Sequence, residues 1–188
     1  MSKKRLFVGF KIPERYGEKL LTIKSYFSAN YFWTKPDNLH LTVYFLGDVE
    51  EKNIEKIKEK LSEIAKNYSE INFIFDNLIF APPEKEETML WAKFEENSFF
   101  NQLVNEVHNA IGEYGENDFK RIDRIPHITL ARFKNKVETK SPETKFENFK
   151  AKELTLYESR PSNSGSEYTA LATFKLNESS DGERLPRI

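Results

Sequence analysis

Two of the three histidines of this chain stand in the same four-residue frame. The frames are His40-Leu41-Thr42-Val43 and His127-Ile128-Thr129-Leu130, and they lie about half the chain apart. Side chains two residues apart on a strand share a face, so each His would lie beside its Thr. The intervening apolar residues would then face the other way. The sequence therefore predicts two strands, each with a buried apolar face and a polar His/Thr pair on an open surface.

Two imidazoles and two hydroxyls suit an in-line displacement at phosphorus. One imidazole can accept a proton from the attacking oxygen while the other donates one to the leaving oxygen. The Thr hydroxyls can donate hydrogen bonds to the non-bridging phosphate oxygens. This scheme needs no metal, and the His spacing is not that of a zinc site. A single His-x-Thr is usually a strand-surface pair, so the hypothesis depends on the match between the two frames.

Composition limits the class of protein. The chain has 188 residues, 38% of them hydrophobic and 31% charged, which is enough for one domain with a buried core. Its net charge of −1 excludes a polybasic coat for long nucleic acid but leaves room for a local basic site. The absence of cysteine removes disulfides and thiolate chemistry, and it fits a reducing compartment. With neither a signal-peptide run nor an apolar stretch of membrane length, we expect a cytoplasmic protein.

Short β-prone runs alternate with amphipathic segments along the chain. Apolar residues repeating at three and four predict helices over residues 14–27, 50–68 and 98–111. Strands are expected over 6–10, 31–34, 39–46, 71–80, 88–94, 127–133, 150–157 and 168–176. Frequent hairpins favour an α+β fold with mostly antiparallel strands over a doubly wound parallel sheet. We expect a single domain over residues 1–176 and a flexible polar tail over 177–188.

The residues around the two frames resemble the 2H phosphoesterase superfamily. The likeness is greatest to its RNA 2′,3′-cyclic phosphodiesterase branch, also called LigT-like proteins or 2′-5′ RNA ligases, and it extends to about Leu176. The segments that carry it are Arg5-Leu6-Phe7-Val8-Gly9, Pro36-Asp37-Asn38-Leu39-His40-Leu41-Thr42, Phe45-Leu46-Gly47-Asp48-Val49, Pro126-His127-Ile128-Thr129-Leu130-Ala131-Arg132, and Leu156-Tyr157-Glu158-Ser159 with Gly165 and Tyr168.

This resemblance implies a bilobal α+β fold with pseudo-twofold symmetry. Two antiparallel sheets would line a central cleft, with the helices outside. It implies hydrolysis of an RNA-terminal 2′,3′-cyclic phosphate to a 2′-phosphate, without a cofactor or metal. His40 matches the proton donor to the leaving 3′ oxygen, His127 matches the base that activates water, and Thr42 and Thr129 match the phosphate-binding residues. The implied partners are RNA ends or small cyclic or 2′-5′ linked nucleotides, bound by a monomer without a membrane or protein partner.

Two residues near the frames have alternative interpretations. Arg132 is five residues after His127, so strict alternation places it on the opposite face, as a surface ion-pair partner. A bulge would bring it back to the His face, where it would bind phosphate. Tyr44 shares the His40 face by alternation and departs from the family pattern, so it would stack on a base or narrow the cleft.

The remaining aromatic and basic candidates are less specific. Phe7 and Trp33 could offer stacking faces to a nucleobase, although core packing is the more common role in an aromatic-rich chain. His108 has no Thr partner and is interpreted as a structural helix residue. The basic residues around the second frame either steer an RNA end or form a solvated surface; they are Lys120, Arg121, Arg124 and Lys134.

Two other functions stay open at this point. The same acid and base could join a 2′,3′-cyclic phosphate to a 5′ hydroxyl, which would make the protein an RNA-end ligase. A module that binds nucleotides or RNA ends without turnover belongs to a different class. The intact His/Thr pairs argue against the binding module, because binding alone does not require two proton carriers.

Overall fold

The computed structural model describes residues 2–27, 31–82, 87–116, 125–134, 142–162 and 165–178. Its helices are α1 (Glu14–Leu21), α2 (Ile54–Asn67) and α3 (Ser98–Ile111). Its strands are β1 (Lys3–Lys11), β2 (Phe32–Trp33), β3 (His40–Glu50), β4 (Ile71–Phe73), β5 (Phe75–Ala81), β6 (Met89–Phe94), β7 (Gly115–Glu116), β8 (His127–Arg132), β9 (Phe149–Ala151), β10 (Glu153–Ser162) and β11 (Gly165–Lys175).

The strands form an antiparallel sheet with the order β11-β10-β1-β3-β8-β6-β5, and β4 pairs with β9 in a small second sheet. This confirms the expected α+β class. The large sheet has two blocks, because its central strands β3 and β8 pair only at Leu41 and Ile128. The two sheets expected from the resemblance are therefore joined edge to edge at one residue pair.

Two short strands cross between these blocks. β2 precedes β3 in the chain but pairs with β8, while β7 precedes β8 but pairs with β3. Such reciprocal pairing is what an approximate twofold axis between β3 and β8 produces. This reciprocal pairing is the structural basis of the pseudo-twofold symmetry that the resemblance implied.

The helices bury the apolar stripes that the sequence predicted. Along α2 the buried residues include Ile57, Leu61 and Ile64, and along α3 they include Leu103 and Val107. They join the inward faces of the strands in one core. This burial is the main source of helix stability, because isolated helices of this length are marginal in water.

Two predicted elements have different limits. The helix expected over 14–27 is α1 followed by a 3₁₀ turn, Thr22–Tyr26. The strand expected over 71–80 is two strands, because β4 pairs with β9 whereas β5 pairs with β6. A continuous apolar run does not reveal a change of pairing partner, so the sequence alone could not place this break.

Asn177, close to the last described residue, is held by three hydrogen bonds. Its backbone N–H donates to the Tyr68 carbonyl, its carbonyl accepts from the Glu70 N–H, and its side-chain amide donates to the Lys66 carbonyl at 2.6 Å. Residues 179–188 lie outside the described residues, so the tail stays a prediction. Of the helices in the described part of the chain, none is long and apolar enough to cross a membrane.

Candidate active site

The two His/Thr frames meet at the centre of the large sheet. Leu41 of β3 lies opposite Ile128 of β8 in an antiparallel pair, and both side chains are fully buried. Continuing that register by one residue in each direction places His40 beside Thr129, and Thr42 beside His127. The four polar side chains thus lie together on the face away from the core.

Both imidazoles are oriented in the same way. Nδ1 of His40 is 2.7 Å from the Asn38 carbonyl oxygen, and Nδ1 of His127 is 2.8 Å from the Ile125 carbonyl oxygen. A carbonyl oxygen only accepts, so each Nδ1 must carry the proton that it donates. This leaves Nε2 of each ring as the nitrogen that can exchange a proton with a substrate.

Aromatic side chains pack against both imidazoles. The ring of Trp91 stacks on His127 with centroids 3.6 Å apart and an interplanar angle of 15°. The His40 ring contacts Phe7 at 4.7 Å and Tyr168 at 4.9 Å. The sequence did not identify Trp91 as a site residue. The alternation of side chains along β6 does not reveal that the indole would lie beside His127. These contacts restrict rotation of both rings.

Phe7 has a structural place in this cluster. It is 2% exposed, stacks on Tyr157 at 4.9 Å and makes a T-shaped contact with Tyr168 at 5.0 Å. A ring covered in this way has no free face for a nucleobase. The expectation of a direct substrate contact at Phe7 is therefore replaced by a supporting position beside His40.

The two imidazoles differ in their electrostatic surroundings. Burial lowers the pKa of His40 to about 4, and the positive charges of His127 and Arg132 act in the same direction. The hydrogen bond to the Asn38 carbonyl raises the pKa but does not offset the burial. Without a bound anion, His40 is therefore neutral near pH 7.

Each motif strand has a β-bulge directly after its Thr. Thr42 pairs with Gly9 but Tyr44 pairs with Val8, so Val43 is the extra residue. In the second half, Thr129 pairs with Trp91 but Ala131 pairs with Leu90, which makes Leu130 the extra residue. A bulge reverses the alternation of faces beyond it.

The first bulge corrects the expectation for Tyr44. Val43 and Tyr44 are both buried, so Tyr44 lies on the helix side rather than on the His40 face. Its hydroxyl is 3.0 Å from Nδ1 of His108 on α3. Tyr44 therefore cannot stack on a base beside His40, and His108 has the packing environment of a structural residue.

The second bulge decides the face of Arg132. Beyond Leu130 the alternation reverses, which brings the exposed Arg132 to the same face as His127 and Thr129. Its guanidinium donates to the Met89 sulfur at 3.0 Å, and its charge helps to lower the pKa of His40. The sequence left two roles open for Arg132, a surface ion pair and phosphate binding. This position favours binding of an anion at the site.

The other candidates lie elsewhere or are undescribed. Trp33 packs with Phe27 and Tyr31 beside the core, as the structural interpretation expected. Lys134 is exposed, whereas Lys120, Arg121 and Arg124 fall outside the described residues. Within the described ranges, no three His, Asp or Glu side chains converge as a metal site.

Sequence comparisons show that the chain is similar to phosphoesterases. The family described as LigT like Phosphoesterase matches residues 10–91. The RNA 2′,3′-cyclic phosphodiesterase of Archaeoglobus fulgidus is 28% identical over 137 residues, which are 70% of this chain and 74% of that protein. The RNA 2′,3′-cyclic phosphodiesterase of Aquifex aeolicus is 27% identical over 184 residues, 92% of this chain and 97% of that protein.

Solved structures show the same fold. A crystal structure of a phosphoesterase has a TM-score of 0.80 and 22% identity, covering 94% of this chain and all of that one. E. coli LigT complexed with 3′-AMP has a TM-score of 0.78 and 23% identity over 94% of this chain and all of that one. The chain thus shares the fold of these proteins, and its two central strands each carry a His and a Thr. By sequence, the chain is similar to LigT-like phosphoesterases over residues 10–91 and to these RNA 2′,3′-cyclic phosphodiesterases over most of its length.

Proposed function

We propose that this protein hydrolyses RNA-terminal 2′,3′-cyclic phosphates to 2′-phosphates, with His40 and His127 as the proton-transferring pair. The observation that supports it most is the antiparallel pairing at Leu41 and Ile128, which brings the two His/Thr pairs together. The relatives named RNA 2′,3′-cyclic phosphodiesterase support the same substrate class. The absence of cysteine is in keeping with a cytoplasmic site of action.

The reaction breaks one P–O bond and forms another. Water attacks phosphorus in line with the 3′ oxygen while His127 accepts a proton from it through Nε2. The bond from phosphorus to the 3′ oxygen breaks, and His40 donates a proton to that oxygen. The products are a 2′-phosphate and a free 3′ hydroxyl.

The hydroxyls and the cation stabilise the charge on phosphorus during this step. Thr42 and Thr129 lie beside the opposite histidine, where their hydroxyls can donate hydrogen bonds to the non-bridging oxygens. Arg132 adds a positive charge on the same face. These groups transfer no proton. Their contribution is to position the phosphate and to stabilise its charge.

The low pKa of His40 sets a condition on its role as the acid. In the free protein this ring is neutral near pH 7, because burial and two neighbouring positive charges disfavour its protonation. A bound phosphate diester brings a negative charge next to the ring, which favours the protonated form. His40 would thus gain its proton as the substrate binds, and the pH–rate profile should be bell-shaped.

The test is a product assay on the three histidine variants. An RNA oligonucleotide ending in a 2′,3′-cyclic phosphate is incubated with EDTA and the protein, and the position of the terminal phosphate is then determined. We expect a 2′-phosphate from the wild type and a loss of about 10²–10⁴-fold in rate from His40→Ala or His127→Ala. His108→Ala is the matched control and should keep its activity. A wild-type rate in either of the first two variants would overturn that residue's assignment.

The same reaction mixture separates the two alternative functions. Adding an RNA with a 5′ hydroxyl would reveal a joined product if the site acts as a ligase. Water normally outcompetes a second RNA unless that strand is bound, so we expect hydrolysis to dominate. Tight binding of the cyclic-phosphate RNA without any product would instead favour the binding module.

A further inference from the structure

Phe32 is an exposed aromatic residue at a position the catalytic scheme does not use. Its side chain is 66% exposed, whereas Tyr31 is buried and Trp33 is partly buried. Within the described residues its ring makes no contact with another aromatic ring. A single exposed apolar residue is common, so its meaning depends on where the ring lies.

The pairing of β2 places Phe32 on the His face of the sheet. Phe32 lies opposite Arg132 on β8, and Trp33 lies opposite Ala131. Ala131 is buried on the core side together with Trp33, so Phe32 and Arg132 share the opposite side. Side chains directly opposite in an antiparallel pair have Cβ atoms about 5 Å apart, which makes these two immediate neighbours.

The end of β2 is fixed to the phosphate-binding strand. The Thr34 backbone N–H donates to the Leu130 carbonyl, and the Thr34 hydroxyl donates to the Thr129 carbonyl at 2.8 Å. Both bonds end at the bulge beside Thr129. The strand that carries Phe32 therefore has a defined position relative to the proposed phosphate site.

The distance along β8 matches a nucleoside. Arg132 is three residues from Thr129, which is roughly 10 Å in a regular strand and less across a bulge. A phosphate held by the two Thr hydroxyls would leave its ribose beside Arg132 and its base near the Phe32 ring. Among the other aromatic neighbours of the site, Phe7 and Trp91 are covered by their contacts with the imidazoles, and Tyr168 packs against the His40 ring in a T-shaped contact at 4.9 Å.

We propose that Phe32 is the stacking platform for the nucleobase of the terminal nucleotide. The inference rests on the proposed function, since it takes the scissile phosphate to lie between the two Thr. Every nucleobase has a face that can stack, and purines have the larger one. Phe32 would therefore contribute affinity for any RNA end, with a preference for purines.

The test compares substrates with and without a base. They are RNA ending in adenosine or uridine 2′,3′-cyclic phosphate, and the 2′,3′-cyclic phosphate of 1-O-methylribose. Phe32→Ala should raise KM for the adenosine end about tenfold, less for uridine, and leave the substrate without a base unchanged. Phe32→Trp should restore the lost affinity. Tyr26→Ala is the matched control, since Tyr26 is 70% exposed but has no pairing with either motif strand.

Two results would overturn the proposal. One is an unchanged KM for the adenosine end in Phe32→Ala. The other is an equal loss on the substrate without a base, which would indicate a local structural effect. Both results are compared with the wild-type protein, which must open the cyclic phosphate for the comparison to apply.

A binding measurement separates this inference from the proposed function. If the wild type opens none of the substrates, the proposed function fails. Quenching of a 3′-terminal 2-aminopurine nucleotide then decides the stacking role alone. Quenching that Phe32→Ala removes supports the platform, and equal or absent quenching in the two proteins overturns it.

Discussion

His40 and His127 occupy matching places in the two halves but have different surroundings. Phe7 and Tyr168 contact His40, whereas the indole of Trp91 stacks on His127. Burial lowers the pKa of His40 below its ordinary value. In the proposed reaction the two rings act as acid and base, and different environments would let them titrate separately.

The stability of the fold should depend on pH through His40. Its pKa is about 4 in the folded protein and 6.5 in an unfolded chain, so the unfolded state binds the proton more tightly. The contribution of neutral His40 is complete above pH 6.5 and is lost as the pH falls toward 4. Between pH 7.5 and 4.5 the wild type should lose roughly 2 kcal/mol more unfolding free energy than His40→Asn.

Urea unfolding at the two pH values measures this difference. His108→Asn is the control, because that ring lies on α3 and contacts Tyr44 rather than the site. Equal losses in the wild type and in His40→Asn would contradict the assigned pKa. The carboxylates that titrate in this range are common to both proteins and cancel in the comparison.

At the scale of elements, the two bulges shape the site. They direct Tyr44 and Ala131 into the core and reverse the alternation beyond them. Three residues after each motif Thr, the first half has Phe45 and the second has Arg132. Phe45 is partly buried under the Arg5 guanidinium, which lies 4.8 Å from the ring centroid. The two motif strands thus carry an aromatic ring and a guanidinium group at equivalent positions.

A glycine on β1 permits the first bulge, and replacing it should disturb the site. A Cβ on Gly9 would lie 2.8 Å from the Leu41 carbonyl oxygen, a backbone atom that cannot rotate away. Gly9→Ala should therefore cost about 1–3 kcal/mol of unfolding free energy and displace the strand between His40 and Thr42. Urea unfolding and the cyclic-phosphate assay would both detect the change.

Gly17 on α1 provides the control for this prediction. A Cβ there would meet the flexible Cδ1 atom of Leu39 at 2.9 Å, and alanine is favoured in a helix by up to about 1 kcal/mol. Gly17→Ala should thus be tolerated far better than Gly9→Ala. Wild-type stability in Gly9→Ala would show that the bulge does not need the glycine.

At the scale of the whole molecule, neither half contains the site alone. Each motif strand pairs with a short strand from the other half, and the central contact is the Leu41–Ile128 pair. The two His/Thr pairs are adjacent only when both halves are folded. We therefore expect one cooperative unfolding transition, with activity lost at the same urea concentration.

Truncation tests where the domain ends. A chain that stops after Glu178 keeps Asn177, whose hydrogen bonds reach the end of α2 and the start of β4. That chain should unfold at the wild-type urea concentration. A chain that stops after Leu176 should lose about 1–3 kcal/mol, because several of these hydrogen bonds disappear. Equal midpoints for the two truncations would place the boundary at residue 176, where the sequence put it.

The local patterns were sufficient for much of the fold. Apolar stripes predicted the buried faces of α2 and α3, since helical periodicity depends only on nearby residues. Alternation within His40-Leu41-Thr42 and His127-Ile128-Thr129 placed Leu41 and Ile128 in the core. The repeated frame, together with the family resemblance, was enough to nominate the four polar residues of the site.

Long-range pairing decided the rest. Whether a strand bulges depends on the strand beside it, so alternation placed Tyr44 on the wrong face and left Arg132 undecided. The positions of Trp91 and Phe32 follow from their pairing with β8, which no local pattern encodes. The low pKa of His40 likewise arises from burial and from charges distant in sequence. By itself the sequence determined which residues could do the chemistry, and only the tertiary structure decided how they face one another, because strand register is set by contacts between distant segments.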